Sequence, residues 1–222
     1  MKIKSILGIA AIMFSITAFS QATKGKVSYD IYFSSDDPNV SAYADKMEGS
    51  VLELFFMDGK LRSDMYAGDM MTRTSISNKD QDTILVLLDG MMGKIAMKVT
   101  ENDMNEEQRL AYENREIELI DETKEVMGYS CKKAIITVGG SDESIVWYTE
   151  EILPNNRKSE YLFEEIPGTP LEMYSSWGKM NMKIVAFEFK EKLKKTDAIF
   201  STKIPDGYTL KTQEEMKQFG GR

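Results

Sequence analysis

Histidine is absent from this 222-residue chain, and cysteine occurs once, as Cys131. Without histidine there is no imidazole to activate a serine or cysteine nucleophile, to transfer protons near neutral pH, or to ligate zinc or iron. A single cysteine cannot form an internal disulfide, so the fold has to depend on its apolar core and its hydrogen bonds. Most hydrolase mechanisms are thereby excluded, and we expect a protein that is not an enzyme.

The remaining reactive groups do not form a recognisable site. Cys131 lies at a strand position with Lys132 and Lys133 as its only basic sequence neighbours, so we interpret it as a buried structural cysteine. Four pairs of adjacent acids lack the ligand spacing of a calcium loop and are interpreted as solvated side chains. We therefore predict no catalytic residue and no cofactor. The acid pairs are Asp36-Asp37, Glu150-Glu151, Glu164-Glu165 and Glu214-Glu215.

Clusters of positive charge are also scarce. The chain has 28 Lys and Arg against 36 Asp and Glu, a formal net charge of −8. Phosphate backbones and anionic lipid surfaces recruit Lys/Arg clusters. The closest approach to such a cluster, Lys190–Lys195, is interrupted by Glu191 and Leu193. We predict that the protein has no nucleic-acid partner.

The N-terminus has the pattern of a secretory signal. An uncharged run, Ile6–Phe19, follows two lysines and ends in the small-x-small pattern Ala18-Phe19-Ser20. The run is shorter than the roughly 20 residues needed to span a bilayer. We predict a cleaved signal peptide at residues 1–20 and a single exported domain at 21–222, in the periplasm or outside the cell, with no transmembrane segment after cleavage. Because no cysteine stands at the cleavage point, it is not expected to be a lipoprotein.

Apolar residues alternate with polar ones through most of the remaining chain, which is typical of half-buried strands. Asp58-Gly59 predicts a hairpin and Asp89-Gly90 another turn. The buried parity changes between Cys131 and Ala134, so we predict a β-bulge near Lys132-Lys133. Few helical stretches and no βαβ rhythm predict a mostly β (α+β) fold: one large, curved antiparallel sheet forming an incomplete barrel, with short helices as a lid.

Methionine is unusually frequent, with 16 in the chain, including Met70-Met71, Met91-Met92 and Met180-Asn181-Met182. These side chains suit ordinary core packing, and they also suit an apolar pocket that adapts to its ligand. A third interpretation is copper(I) binding by thioethers, with Met173, Met180 and Met182 as the candidate ligands. We favour the apolar interpretations, and we expect leucine at Met180 and Met182 to leave metal affinity unchanged.

Four motifs resemble a secreted Gram-negative domain-of-unknown-function family related to the GLPGLI group. They are Met127–Ala134, Val146–Glu150, Ile166–Leu171 and Phe200–Tyr208. Such families are similar in architecture to the periplasmic lipoprotein carriers LolA and LolB. In those carriers an incomplete barrel is covered by helices over an acyl-binding cavity. The resemblance implies a lipid or other apolar ligand, and it implies no catalytic residue.

Strand parity and this resemblance together suggest a binding function. We predict that the concave face of the half-barrel holds an acyl chain or another apolar ligand. The alternative is an envelope interaction or stress-response protein whose sheet edge or polar surface meets a protein partner and which needs no pocket. The predicted lining residues of the concave face are Tyr29, Ile31, Phe33, Leu54, Phe56, Met97 and Trp147.

Overall fold

A computed structural model describes residues 21–104, 106–139, 142–157 and 163–220. The predicted signal peptide, residues 1–20, lies outside the described residues. The strands are β1 Gly25–Ser34, β2 Ser50–Met57, β3 Lys60–Ala67, β4 Met71–Asn78, β5 Ile84–Gly90, β6 Gly93–Val99, β7 Glu116–Val126, β8 Tyr129–Val138, β9 Asp142–Thr149, β10 Thr169–Trp177, β11 Met180–Lys190 and β12 Thr209–Leu210. The helices are α1 Pro38–Ala44, continued by the 3₁₀ turn Asp45–Met47, α2 Glu106–Glu113, α3 Thr196–Ile199 and α4 Gln213–Gly220.

All twelve strands belong to one sheet, in the order β12-β6-β5-β4-β3-β2-β1-β11-β10-β9-β8-β7. Two antiparallel meanders, β1 to β6 and β7 to β11, are joined where β1 pairs with β11. Among the strands that the structure describes, the two-residue β12 alone pairs in parallel, with β6, and an isolated parallel bridge joins Ala22 to Ile152. The mostly β fold predicted from the sequence, with a large antiparallel sheet that does not close and few short helices, is confirmed. No helix in the described ranges is long and apolar enough to span a membrane.

The local turn signals are only partly followed. Asp58 and Gly59 form the predicted hairpin turn, with φ angles of 49° and 74°, because glycine adopts positive φ without steric cost. The prediction for Asp89-Gly90 is wrong. These residues end β5, and Gly90 pairs with Gly93 across a turn formed by Met91 and Met92. The pairing register of β5 and β6 therefore places the turn at Met91-Met92, after the two residues whose turn preference predicted it.

A bulge lies at the predicted position, but on the partner strand. Ile120 pairs with Lys133 and Thr123 with Lys132, so the extra residues are in β7 rather than β8. The pairing of β8 with β9 is regular from Lys132 to Val138, so no bulge in β8 explains its change of parity. Cys131 and Ala134 are both fully buried because each belongs to a different core cluster.

The two faces of the sheet are covered by different segments. We call the face that carries Val27 and Tyr29 the inner face. It is covered by residues 150–157 and 163–168, the strap, whose Ile152 and Ile166 are fully buried against the sheet. On the outer face, the residues after α3 cover the cluster of Ile76, Leu85, Leu87 and Ala96. Each fully buried aliphatic side chain contributes about 1.5–3 kcal/mol, so both faces add to the core.

Polar contacts fix the strap over the inner face. Asn156 donates its side-chain amide to the Ser77 hydroxyl at 3.1 Å, and the Thr169 hydroxyl donates to the Ile152 carbonyl at 2.7 Å. Gly168 lies where the strap returns to the sheet. A β-carbon there would come within 2.3 Å of the Thr149 carbonyl oxygen, which is backbone and cannot move aside. The absence of a side chain at Gly168 therefore permits the strap to pack.

We predict that Gly168→Ala destabilises the protein by about 3 kcal/mol, the upper end of the cost of overpacking. Gly178→Ala is the matched control. Gly178 has a φ of 58° but no atom within 4 Å of an added β-carbon, so only the left-handed backbone is penalised, by about 1 kcal/mol. Urea unfolding midpoints measure both changes. Equal shifts for the two variants would contradict the close approach at Gly168.

Candidate functional site

A partly enclosed cavity of about 160 Å³ lies between the inner face and the strap, near the middle of the sheet. Its apolar wall is formed by Tyr29, Leu52, Leu54, Phe163, Met173 and Ile184. Its polar groups are Ser63, Arg73 and Ser75 on two neighbouring strands, and Glu172 of β10. The cavity is therefore amphipathic: four strands and the strap contribute apolar groups, and β3, β4 and β10 contribute polar ones.

The cavity exists because small side chains occupy one row of the sheet. Leu54 pairs with Ser63, and Ser63 pairs with Ser75, so two serines follow the leucine across neighbouring strands on the inner face. A larger apolar side chain in that row would fill the space, as Leu61 does in the next row, two residues nearer the hairpin turn. Alternation along each strand carries these side chains to the same face.

Six of the seven predicted lining residues share the inner face. Tyr29 and Leu54 line the cavity, and the Tyr29 hydroxyl donates to the Pro170 carbonyl at 3.1 Å. Ile31 and Phe56 are buried in the core, whereas Phe33 and Met97 are half-buried, and none of these four is in the cavity wall. The inner face thus extends well beyond the cavity, because much of it is filled by packing.

Trp147 is the exception: it does not line the cavity and pairs with Lys133 and Glu172, although it packs against the cluster that contains Tyr29 and Leu54. Its neighbours Val146 and Tyr148 belong to the core cluster beneath the strap, and successive residues of a strand point to opposite faces. The Lys124 Nζ atom lies 4.5 Å from the Trp147 ring centroid, and that of Lys133 lies 5.9 Å away. Both parities of β9 are apolar, so alternation could not indicate which of them faces inward.

Several cavity residues carried little signal in the sequence. Leu52 shares the parity of Leu54, and Ile184 shares that of Met182, so these two could have been found by extending the alternation. Ser63, Ser75 and Arg73 resemble ordinary surface residues. Their place in the cavity follows from the pairing of β3 with β4, which sequence does not show.

The three methionines considered as copper ligands are not gathered around one point by the strand register. Met173 pairs with Ile184 and lines the cavity. Met182 pairs with Phe33 and with Ser175, one row further along, and Met180 begins β11. Met180 and Met182 lie at period two on one strand.

A charged cluster lies beside Trp147, and its Glu172 also borders the central cavity. Glu172 is 8% exposed and forms an ion pair and hydrogen bond with Lys124, and the Tyr174 hydroxyl donates to the same carboxylate. Lys183 Nζ lies 3.7 Å from it. Burial alone would raise the pKa of Glu172, but these hydrogen bonds and positive charges together hold it below its usual value. The carboxylate stays ionised and is not suited to donate a proton.

Cys131 is fully buried, and its thiol donates to the Tyr129 carbonyl at 3.7 Å. Burial is the largest cause that raises its pKa to about 11. At neutral pH the side chain is therefore a thiol, which is neither a nucleophile nor a metal ligand. Within the part of the chain that the structure describes, no group of three or more His, Cys, Asp or Glu side chains is placed to hold a metal ion.

Residues 71–206 match the family model described as N-glycanase peptide, N-terminal domain. This is not the GLPGLI-related family expected from the sequence motifs. No curated protein sequence matches the chain.

Among solved structures, PNGF-II is similar with a TM-score of 0.53 and 14% identity, over 89% of this chain and 33% of that chain. The chain thus spans about a third of the length of PNGF-II. The Mycobacterium tuberculosis lipoprotein LppX gives a TM-score of 0.35 and 9% identity, over 76% of this chain and 88% of that one. A LolA superfamily protein from Nitrosomonas europaea gives 0.25 and 8%, over 82% and 91%.

We predict that iodoacetamide does not label Cys131 in the native protein at pH 7 to 8, although it labels the urea-unfolded protein readily. The folded thiol keeps its proton up to a pKa of about 11, whereas the unfolded one releases it near 9.0. The free energy of unfolding should therefore fall as pH rises through this interval, because the unfolded state loses the proton first. Intact mass reports labelling, and Cys131→Ala isolates the thiol's part of the pH dependence. Rapid native labelling would contradict the burial.

Proposed function

This chain belongs to the N-glycanase peptide N-terminal domain family, and we propose that it acts as a binding domain rather than as an enzyme. The observation that carries the proposal is the amphipathic cavity under the strap. An apolar cavity with a few convergent polar groups is the usual form of a small-molecule site. Its largely apolar wall would bind an apolar group, and Ser63, Arg73 and Ser75 would orient the polar end of the same ligand.

The size of the cavity limits the ligand. A cavity of about 150 Å³ in an apolar protein interior holds one benzene molecule, whereas sites for drug-sized ligands have roughly 300–1,000 Å³. At about 160 Å³, the cavity beneath Phe163 suits one ring or a short branched aliphatic group. It is too small for a whole acyl chain. Of the ligands predicted from the sequence, a lipid, an acyl chain or another apolar molecule, we therefore propose the last, as a small amphiphile.

Two features support a role without catalysis. The Cys131 thiol is buried and protonated, and the carboxylate of Glu172 is neutralised by two lysines. Neither group is prepared to act as a nucleophile or as a general acid.

We further propose that the protein is exported, on the basis of the predicted signal peptide at residues 1–20, and that it meets its ligand outside the cytoplasm.

We predict that toluene binds saturably and shifts the NMR methyl signals of Leu52, Leu54 and Ile184, which line the cavity. Ser63→Leu should weaken this binding by at least about tenfold, because the added side chain occupies the space beside Leu54. Its melting temperature should stay the same or rise, since filling a cavity usually stabilises a protein.

Thr72→Leu is the matched control. Thr72 is also half-buried, but it pairs with Tyr66 and Asp89 on the outer face. Toluene binding should persist in this variant. Native mass spectrometry of the protein purified without detergent then tests for a co-purifying ligand. The proposal fails if the wild type does not bind toluene saturably, or if Ser63→Leu binds it as well as the wild type does.

The family description supports a second candidate, the recognition of a glycopeptide for an N-glycanase. On the outer face, a groove of about 510 Å³ is lined by Tyr32, Tyr174, Asn181 and Lys183 among others. Tyr32 is 57% and Tyr174 38% exposed. Exposed aromatic rings beside amide and ammonium groups can bind the apolar faces and hydroxyl groups of sugars. This groove shares no named residue with the central cavity, so the two candidates can be tested separately.

If the second candidate is right, an N-glycopeptide should shift the NMR signals of Tyr174 and Lys183 without affecting the cavity methyl groups. Tyr32→Ala should weaken that binding by about tenfold through loss of one ring. Tyr66→Ala is the control, because Tyr66 is 39% exposed and on the same face but pairs with Val51 on β2, outside the groove. Equal weakening by both variants, or no shift at all, would reject glycopeptide recognition.

A further inference from the structure

A second apolar groove, of about 310 Å³, lies at the end of the sheet where β3 turns into β4 and β5 into β6. Six methionines line it: Met47, Met65, Met70, Met71, Met91 and Met92. The other lining residues are glycine, alanine, leucine, isoleucine and Tyr43, so no charged side chain contributes to the wall. We call this site the methionine groove. The candidate copper ligands named from the sequence, Met173, Met180 and Met182, do not line it.

The two Met-Met pairs are brought together by glycines. Met71 pairs with Gly90, and Gly90 pairs with Gly93 across the turn. A β-carbon at Gly90 would lie 3.0 Å from the Met70 carbonyl oxygen and 3.4 Å from Met71 Cβ. Because glycine has no such atom, the β3–β4 turn can approach the β5–β6 turn closely. Both Met-Met pairs therefore border one groove.

Met47 is held over the same place by a hydrogen-bonded anchor. The Ser50 hydroxyl donates to the Met47 carbonyl at 2.6 Å and accepts from the Gly68 amide at 3.1 Å. Gly68 also approaches the Lys46 carbonyl closely, since an added β-carbon would lie 2.5 Å from that oxygen. The 3₁₀ turn that carries Met47 is thus attached to the β3–β4 turn, and its thioether is presented from a third segment of the chain.

Turn preference and burial do not account for Met91 and Met92. Neither methionine has a positive φ, and the positive φ of this hairpin, 87°, is at Gly93, so the turn geometry tolerates methionine without favouring it. Met91 is 93% exposed and Met92 61% exposed, so neither gains much from apolar burial. Core packing explains buried methionine but not two thioethers in water at the tip of a turn. A ligand that these sulfur atoms bind would explain their position.

We propose that the methionine groove binds a soft monovalent metal ion, copper(I), through Met91, Met92 and thioethers from the facing segments. Thioethers are soft ligands that select copper(I) over hard cations. Competing soft ligands are weak elsewhere: the chain has no histidine, and its one thiol is buried. Exposure of Met91 and Met92 lets the ion enter without opening the fold.

The proposal can be tested by titrating copper(I) under anaerobic conditions against the chromophoric chelator bicinchoninate. The wild type should bind one copper(I) per chain. Met91→Leu/Met92→Leu should lower the affinity by at least about tenfold, because leucine keeps the volume and apolar character but removes the sulfur atoms. These side chains lie at an exposed turn, so the variant should keep the wild-type circular dichroism spectrum and melting temperature.

Met180→Leu/Met182→Leu is the matched control, since it removes the same number of thioethers from β11 and should bind copper(I) like the wild type. Silver(I), which does not change oxidation state, should shift the methionine methyl NMR signals of the groove and leave those of Met180 and Met182 in place. The proposal is overturned if the wild type does not bind, if the Met91/Met92 variant binds as tightly as the wild type, or if the control variant loses binding.

Discussion

The antiparallel pairing of β1 with β11 unites the two halves of the molecule. It joins residues near the two ends of the chain, from Lys26 with Lys190 to Ser34 with Asn181, and makes one sheet of two meanders. Within each meander consecutive strands pair with each other, whereas this one pairing requires closure of most of the chain. Without it, Tyr29 and Ile184 would belong to separate sheets, and the central cavity would have no continuous wall.

Space on the inner face is set by a balance between large and small side chains. Leu61, Phe56 and Val27 fill one end of the face, and Ile166 of the strap fills another part. The cavity remains where Ser63 and Ser75 stand beside Leu54. Close-packed interiors leave few voids larger than a water molecule, so a void at a row of serines, with polar and apolar walls, is consistent with a binding site.

Three surfaces of this protein differ in chemistry because different segments cover the sheet. The strap encloses the central cavity, the 3₁₀ turn that carries Met47 borders the methionine groove, and the outer face between β1 and β10 is left open around Tyr32 and Tyr174. Glu172 is largely buried, and Lys124, Lys183 and the Tyr174 hydroxyl compensate its charge. The proposed ligands are correspondingly distinct: a small amphiphile, a soft metal ion and a glycopeptide.

Local sequence patterns were sufficient to predict the class of fold and the parity of most strands. Alternation placed Tyr29, Leu54 and Met97 on one face, because strand side chains repeat every two residues whatever the tertiary context. The Asp58-Gly59 hairpin followed for a similarly local reason, since the backbone angles of that turn favour these residues.

Contacts between residues distant in sequence set the remaining features. Trp147 could not be assigned to a face from the sequence, because both parities of β9 are apolar and only its neighbours across the sheet, Lys133 and Glu172, distinguish them. Two serines became part of a cavity, and six methionines from four segments became one groove, through pairing between strands. Which residues meet across a sheet is fixed by the register and by the covering segments. These depend on contacts between residues far apart in sequence, and so no local pattern encodes them.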